Sequence, residues 1–303
     1  MKYRIFFIFL LSLGLSVLFF FVSLKKNKTD SYFDSMSVEL NSANLPVLPV
    51  LIQGIIFNLE LDLGCNQLVT LTQKNMEKIS NKKFISSTQV TGMKGHRYDS
   101  KKYELPEIEI GTESFINPIV SEDPDQFHYD AILGESTIEP KTLPDGLIGW
   151  KAFQHKNLFL DLGHSKIAFC DSLSTLKKQG YDIEAFAETP LLLDRDFVEC
   201  EAAIPEQIVR CFLDSGFTVS AINTFGEDTR TLDEAAQSPD MQKYPFFIGG
   251  KSFGIGNLHK LPINFPIAID VVLGMDFFIH HFVFIDFKNE KIYFGRNYKP
   301  KEI

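Results

Sequence analysis

From residue 45 onward the chain alternates short apolar runs with turn signals, a pattern of β-strands rather than long helices. Residues 46–52 and 55–61 are apolar-rich and flank Gln53-Gly54, which predicts a hairpin closed by a tight turn. That hairpin runs into Asp62-Leu63-Gly64. A second is predicted at 197–204 and 207–213 around Pro205-Glu206, and it runs into Asp214-Ser215-Gly216. Only the amino terminus breaks the pattern. Residues 5–24 carry no charge, and Lys2 and Arg4 precede them while Lys25, Lys26 and Lys28 follow. A helix of that length spans about 30 Å, the thickness of a bilayer's hydrocarbon core.

The downstream parts repeat. Residues 145–169 align without gaps to residues 270–294, matching Asp145 with Asp270, Gly149 with Gly274, Phe153 with Phe278, Asp161 with Asp286 and Lys166 with Lys291. Two copies of this size predict a duplicated lobe. The first lobe is the longer one, and its extra residues are expected around Gly92-Met93-Lys94-Gly95 and in the loop 121–144. Short helices are expected at 73–80, at 172–180, and for one turn after each of Gly149 and Gly274. The predicted organisation is a membrane anchor or signal segment at 1–26, a tether at 27–44, lobes at 45–170 and 191–303, and a linker at 171–190.

Composition narrows the function classes. The formal charge is −9, and the basic residues around the apolar terminus leave the body more acidic still, which disfavours nucleic acid as a partner. Four cysteines are too few for a disulfide scaffold, and no CxxC pair suggests zinc. The 29 phenylalanines against one tryptophan fit aromatic-rich strands. Val22-Ser23-Leu24-Lys25-Lys26 offers no small-x-small cleavage site, so residues 5–24 are expected to stay as a transmembrane helix. The body is then expected outside the cytoplasm, in a bacterial periplasm or cell envelope.

An Asp-x-Gly step after an apolar strand leaves a carboxylate exposed beyond a rigid element, and glycine permits the sharp turn. Two such loops related by pseudo-twofold symmetry would place two carboxylates side by side. They would share one proton, and the pair could activate a water and polarise a carbonyl.

The order of hairpin, Asp-x-Gly, flap hairpin, apolar-apolar-Gly and closing strand pair resembles the aspartic proteases. The likeness is to retropepsin-like lobes fused in tandem into a pepsin-like bilobed chain, and it covers residues 45–297. It implies an all-β fold of two six-to-seven-stranded lobes with few short helices. It implies Asp62 and Asp214 as catalytic residues, Leu63, Gly64, Ser215 and Gly216 as their loops, and a flap at 88–103 with Gly92, Met93, Lys94 and Gly95 at its tip. Leu147-Ile148-Gly149 and Val272-Leu273-Gly274 match the apolar-apolar-Gly segments. A peptide or protein would be the substrate, with no metal or organic cofactor, and a monomer would carry the whole site. The sequence departs from the pattern at Leu63, where the family has Thr or Ser, and at Cys65 and Phe217, where small residues are usual. A catalytically silent peptide-binding or envelope interaction module is the competing expectation.

Other features are weaker. Asp161-Leu162-Gly163 is a third Asp-x-Gly, but no flap follows it, so it reads as a turn. Cys200 and Cys211 mirror each other about Pro205-Glu206, open to a cross-strand disulfide or to two buried thiols. Cys65 has no histidine tied to it by motif, and adjacent His280 and His281 would face opposite ways on a strand, so neither suggests a site. Gly250-Lys251-Ser252 and Gly254-Ile255-Gly256 fail as nucleotide-binding motifs and are expected at hairpin turns. Asn27-Lys28-Thr29 is a formal glycosylation sequon at the edge of the apolar segment.

Overall fold

Alternation within the first hairpin builds the first lobe. Leu48, Val50 and Ile52 of Pro46–Ile52 are wholly buried, and Phe57, Leu59 and Leu61 of Ile55–Asp62 are buried on the adjacent strand. The turn fixes their register: Gln53 and Gly54 both have positive φ (50° and 78°), the geometry that matches the strands' twist. The computed structural model describes residues 32–91, 97–124, 144–193, 197–238, 240–265 and 267–297. They are mostly strand, with a few short helices.

The first lobe is a ten-stranded sheet. Ile55–Asp62 lies at its centre, antiparallel to Pro46–Ile52 on one side and parallel to Gly146–Gly149 on the other. Beyond Gly146–Gly149 come Val69–Thr72, Ile119–Asp123 and the hairpin of Lys83–Thr91 and Arg97–Glu104. The second lobe closes into a six-stranded barrel. There Gln207–Leu213 is flanked in the same way, by Glu199–Ile204 antiparallel and Val271–Leu273 parallel. The repeat is visible down to single bonds. Asp145 Oδ2 accepts from Asn58 N at 2.9 Å, and Asp270 Oδ2 accepts from Arg210 N at 2.7 Å.

The closing hairpins of the two halves pair with each other. Leu158–Asp161 pairs with His281–Asp286 across the seam, with Leu158 opposite Ile285 and Leu160 opposite Val283. A six-stranded sheet results, ordered Phe33–Ser37, Lys166–Cys170, Leu158–Asp161, His281–Asp286, Lys291–Arg296, Ala187–Pro190. All four residues of Leu158–Asp161 are buried, so the strand needs cover on both faces. Burial of each large apolar side chain here contributes about 1.5–3 kcal/mol.

The helix expected at 172–180 is present, and both the tether and the linker also contain strands. The tether at 27–44 includes the strands Phe33–Ser37 and Glu39–Leu40, the first anchored by Asp34, whose Oδ2 accepts from Thr112 N at 2.7 Å. The linker at 171–190 holds the helix Leu173–Lys178 and the strand Ala187–Pro190. The helix expected at 73–80 ends at Glu77, and Trp150–Ala152 and Met275–Phe278 are the single turns that follow the two glycines. One further helix, Leu232–Gln237, starts at a capping box between Thr231 and Glu234. Gly249 and Gly250 form the hairpin turn, so of Gly250-Lys251-Ser252 only the glycine is in the turn, and Gly254-Ile255-Gly256 lies inside the strand Lys251–Leu261. Among the described residues no helix is long and apolar enough to cross a membrane. Residues 5–24 and the sequon at Asn27 lie outside the described residues.

Candidate active site

The central strand of each lobe delivers one aspartate to the seam. Each aspartate is held by its own loop: Gly64 N donates to Asp62 Oδ1 at 2.7 Å, and Gly216 N donates to Asp214 Oδ1 at 2.9 Å. The backbone repeats too, with Cys65 N donating to Asp62 O at 3.1 Å and Phe217 N to Asp214 O at 3.2 Å. The apolar-apolar-Gly segments pass alongside. Gly149 stands in register with Asp62, and Leu273 O accepts from Asp214 N at 3.0 Å. Trp150 N and Met275 N then bond the carbonyls of Cys65 and Phe217, which ties each loop to the turn after Gly149 or Gly274.

The loops meet face to face. A Cβ on Gly64 would lie 2.9 Å from Asp214 Cγ, and one on Gly216 would lie 2.9 Å from Asp62 Cγ, so glycine is what allows each carboxyl to approach the opposite loop. Asp62 and Asp214 are in hydrogen-bond contact with each other. Asp214 is 7% exposed and Asp62 is half-buried. Desolvation raises both carboxyls above the usual aspartate range, and Asp214 rises further because it faces the Asp62 charge. Two carboxyls in such contact cannot both ionise cheaply, so the pair holds one proton between them. One member can then act as a base and the other as an acid.

One residue locks the lobes together here. Ser215, wholly buried, donates from Oγ to Leu61 O at 2.7 Å and accepts from Leu63 N at 3.0 Å. Its counterpart is Leu63, also wholly buried, whose side chain has no hydroxyl to return these bonds. The lock is one-sided.

Cys65 is half-buried near Thr70, and burial followed by the Asp62 charge pushes its thiol up to about 12, so it stays protonated. From the strand Arg97–Glu104, within the expected flap, Tyr98 hydrogen-bonds Asp123. The flap tip, Gly92, Met93, Lys94 and Gly95, lies outside the described residues.

The remaining candidates are elsewhere. Asp161 turns the chain in the shared sheet and accepts from Tyr181 Oη at 3.0 Å, with His164 Nδ1 at 2.7 Å. Cys200 and Cys211 stand opposite each other in register as free, buried thiols. His281 Nδ1 bonds Phe277 O at 2.8 Å and stacks on the Phe277 ring. Among the described residues no three His, Cys, Asp or Glu side chains converge as metal ligands. Reading the sequence for paired Asp-x-Gly steps missed Glu60, a buried acid two residues before Asp62. The signal was available, because the repeat places Phe212 at that position in the second lobe.

No protein-family model matches the chain, and no curated protein matches it by sequence. Solved structures do. An aspartic proteinase from Irpex lacteus aligns with a TM-score of 0.58 at 12% identity, covering 88% of this chain and 97% of its own. Basic 7S globulin from soybean aligns with a TM-score of 0.57 at 10% identity, covering 88% and 95%. The chain has the bilobed aspartic-protease fold. One of these neighbours is named a proteinase and the other a globulin, so the shared fold does not decide activity.

Proposed function

We propose that this chain, built on the bilobed acid-protease fold, is an aspartic-type endopeptidase with Asp62 and Asp214 as its catalytic pair. The observation that carries the reading is the contact between two carboxyls, one from each lobe, each held by the equivalent glycine N–H of its own loop. The ionised carboxyl of the pair takes a proton from a water as the water's oxygen attacks the peptide carbonyl, and the protonated carboxyl gives its proton to the carbonyl oxygen. The first carboxyl then passes the water's proton to the amide nitrogen as the C–N bond breaks, and a hydroxyl of the diol returns its proton to the second carboxyl. Two peptides leave and the pair again holds one proton. The flap hairpin would cover an extended peptide read through its backbone and alternate side chains. In this proposal residues 5–24 anchor the enzyme in a membrane and the body works outside the cytoplasm as a monomer.

Buried Leu63 favours a second reading, a peptide-binding protein without turnover. The test is a mixed peptide library incubated with the full chain from pH 3 to 7, alongside Asp62→Asn and Asp214→Asn. Cleavage by the wild type alone supports the enzyme. Peptide capture without cleavage by all three supports the binder.

A further inference from the structure

The strand that delivers Asp62 carries a second acid. Glu60 lies two residues earlier and on the same face, is 4% exposed, and sits between Val47 and Leu147 in the centre of the first lobe's sheet. Its Oε2 faces Asn41 Nδ2 at 3.4 Å. Asn41 is itself fixed, since its Oδ1 accepts from Ala43 N at 2.9 Å and from Leu45 N at 3.0 Å. Among the described residues Glu60 is hydrogen-bonded to this amide, and its charge interacts with the carboxyls of Asp62 and Asp214. The strands beside it present Val47 and Leu147, and Glu39, the next acid along, is exposed.

The fold does not require an acid there. In the second lobe the same position is Phe212, which packs with Phe217, Ala221 and Val272 in an apolar cluster. An unpaired buried carboxylate is costly, and an apolar residue would serve the sheet better.

We propose that Glu60 is a positioning residue of the site, a third carboxyl that acts through Asp62 and Asp214 to keep their shared proton in place as the pH rises. The inference rests on the hydrolytic reading above. Burial first, and then the Asp62 charge, push the Glu60 carboxyl well above the usual glutamate range, and Glu60 is among the groups that raise Asp214. As Glu60 ionises, its charge opposes loss of the last proton from the pair. The one-proton form, which does the chemistry, then persists to higher pH. Asymmetry between the lobes becomes a setting of the working range.

The experiment is the pH profile of kcat/KM for the full chain and for Glu60→Gln. The expected result is an alkaline limb moved to lower pH, with kcat/KM at a fixed pH on that limb down about tenfold and the optimum changed less than about threefold. Glu60→Leu, which copies the apolar character of Phe212, should move the limb equally. An unmoved limb in an active variant overturns the proposal. A second measurement does not depend on turnover: melting temperature against pH for the wild type, Glu60→Gln, Asp62→Asn and the double variant. Coupling requires that the effect of Glu60→Gln shrink when Asp62 is Asn. Additive effects overturn the coupling whether or not the protein cleaves peptides, whereas non-additive effects in a chain that cleaves nothing remove the peptidase reading and keep the coupling.

Discussion

Ser215→Ala isolates the one-sided lock between the lobes. The Ser215 hydroxyl bonds Leu61 O and Leu63 N, and both it and Leu63 are wholly buried. Its removal leaves one carbonyl and one N–H without partners, at roughly 1–3 kcal/mol each. Part of that is recovered by relaxation, so the expected loss is about 2–4 kcal/mol in denaturant unfolding. The same bonds set the spacing of the two Asp-x-Gly loops, and a displacement of about 1 Å costs on the order of 10²-fold in rate. Ser215→Thr keeps the hydroxyl and should stay within about 1 kcal/mol of the wild type. A loss below about 0.5 kcal/mol for Ser215→Ala, with activity kept, would refute the claim that this side chain fixes the loops.

Four further outcomes follow from the structure. Gly64→Ala and Gly216→Ala put a methyl group 2.9 Å from the opposite carboxyl and should lower kcat by about 10²-fold or more, read in steady-state kinetics on protein that still melts cooperatively. Leu63→Thr returns the missing hydroxyl and gives up buried apolar surface, so kcat should rise while the melting temperature does not; a fall in both would show that Leu63 suits its site as it stands. His281 is pushed down from 6.5 to about 4, chiefly by burial. The unfolded chain therefore takes up a proton that the native one refuses, and stability should fall as pH drops from about 6.5 to about 4, a decline that His281→Gln removes from the melting profile. The dyad has the opposite sign. Its raised carboxyls contribute stability at low pH that is lost as pH rises through their folded values, and Asp214→Asn should flatten that limb.

Much of the site was legible in the sequence because each part has local causes. Gln53-Gly54 and Pro205-Glu206 punctuate the hairpins, and glycine after each aspartate marks a turn. The gapless match of 145–169 with 270–294 announced the duplication. What was not legible depends on partners distant in the chain. The continuous apolar run at 158–160 says that a strand is buried on both faces, but not that its neighbour comes from the other lobe. Phe33–Ser37 has little alternation of its own and is ordered by pairing with Lys166–Cys170. Thr231 and Glu234 carry a local signal for the helix Leu232–Gln237, the spacing of a capping box. Glu60 looked like an ordinary polar position in a strand until burial and its apolar counterpart Phe212 set it apart.

The central claim is that two aspartates from different lobes hold one proton between them. Carbon-13 NMR titration of the aspartate carboxyls in the full chain tests it without any substrate. The account predicts one carboxyl that keeps its proton well above the ordinary aspartate range in the wild type, and loses that behaviour when Asp62 is changed to Asn. A wild-type spectrum in which every aspartate ionises in the ordinary range would contradict it.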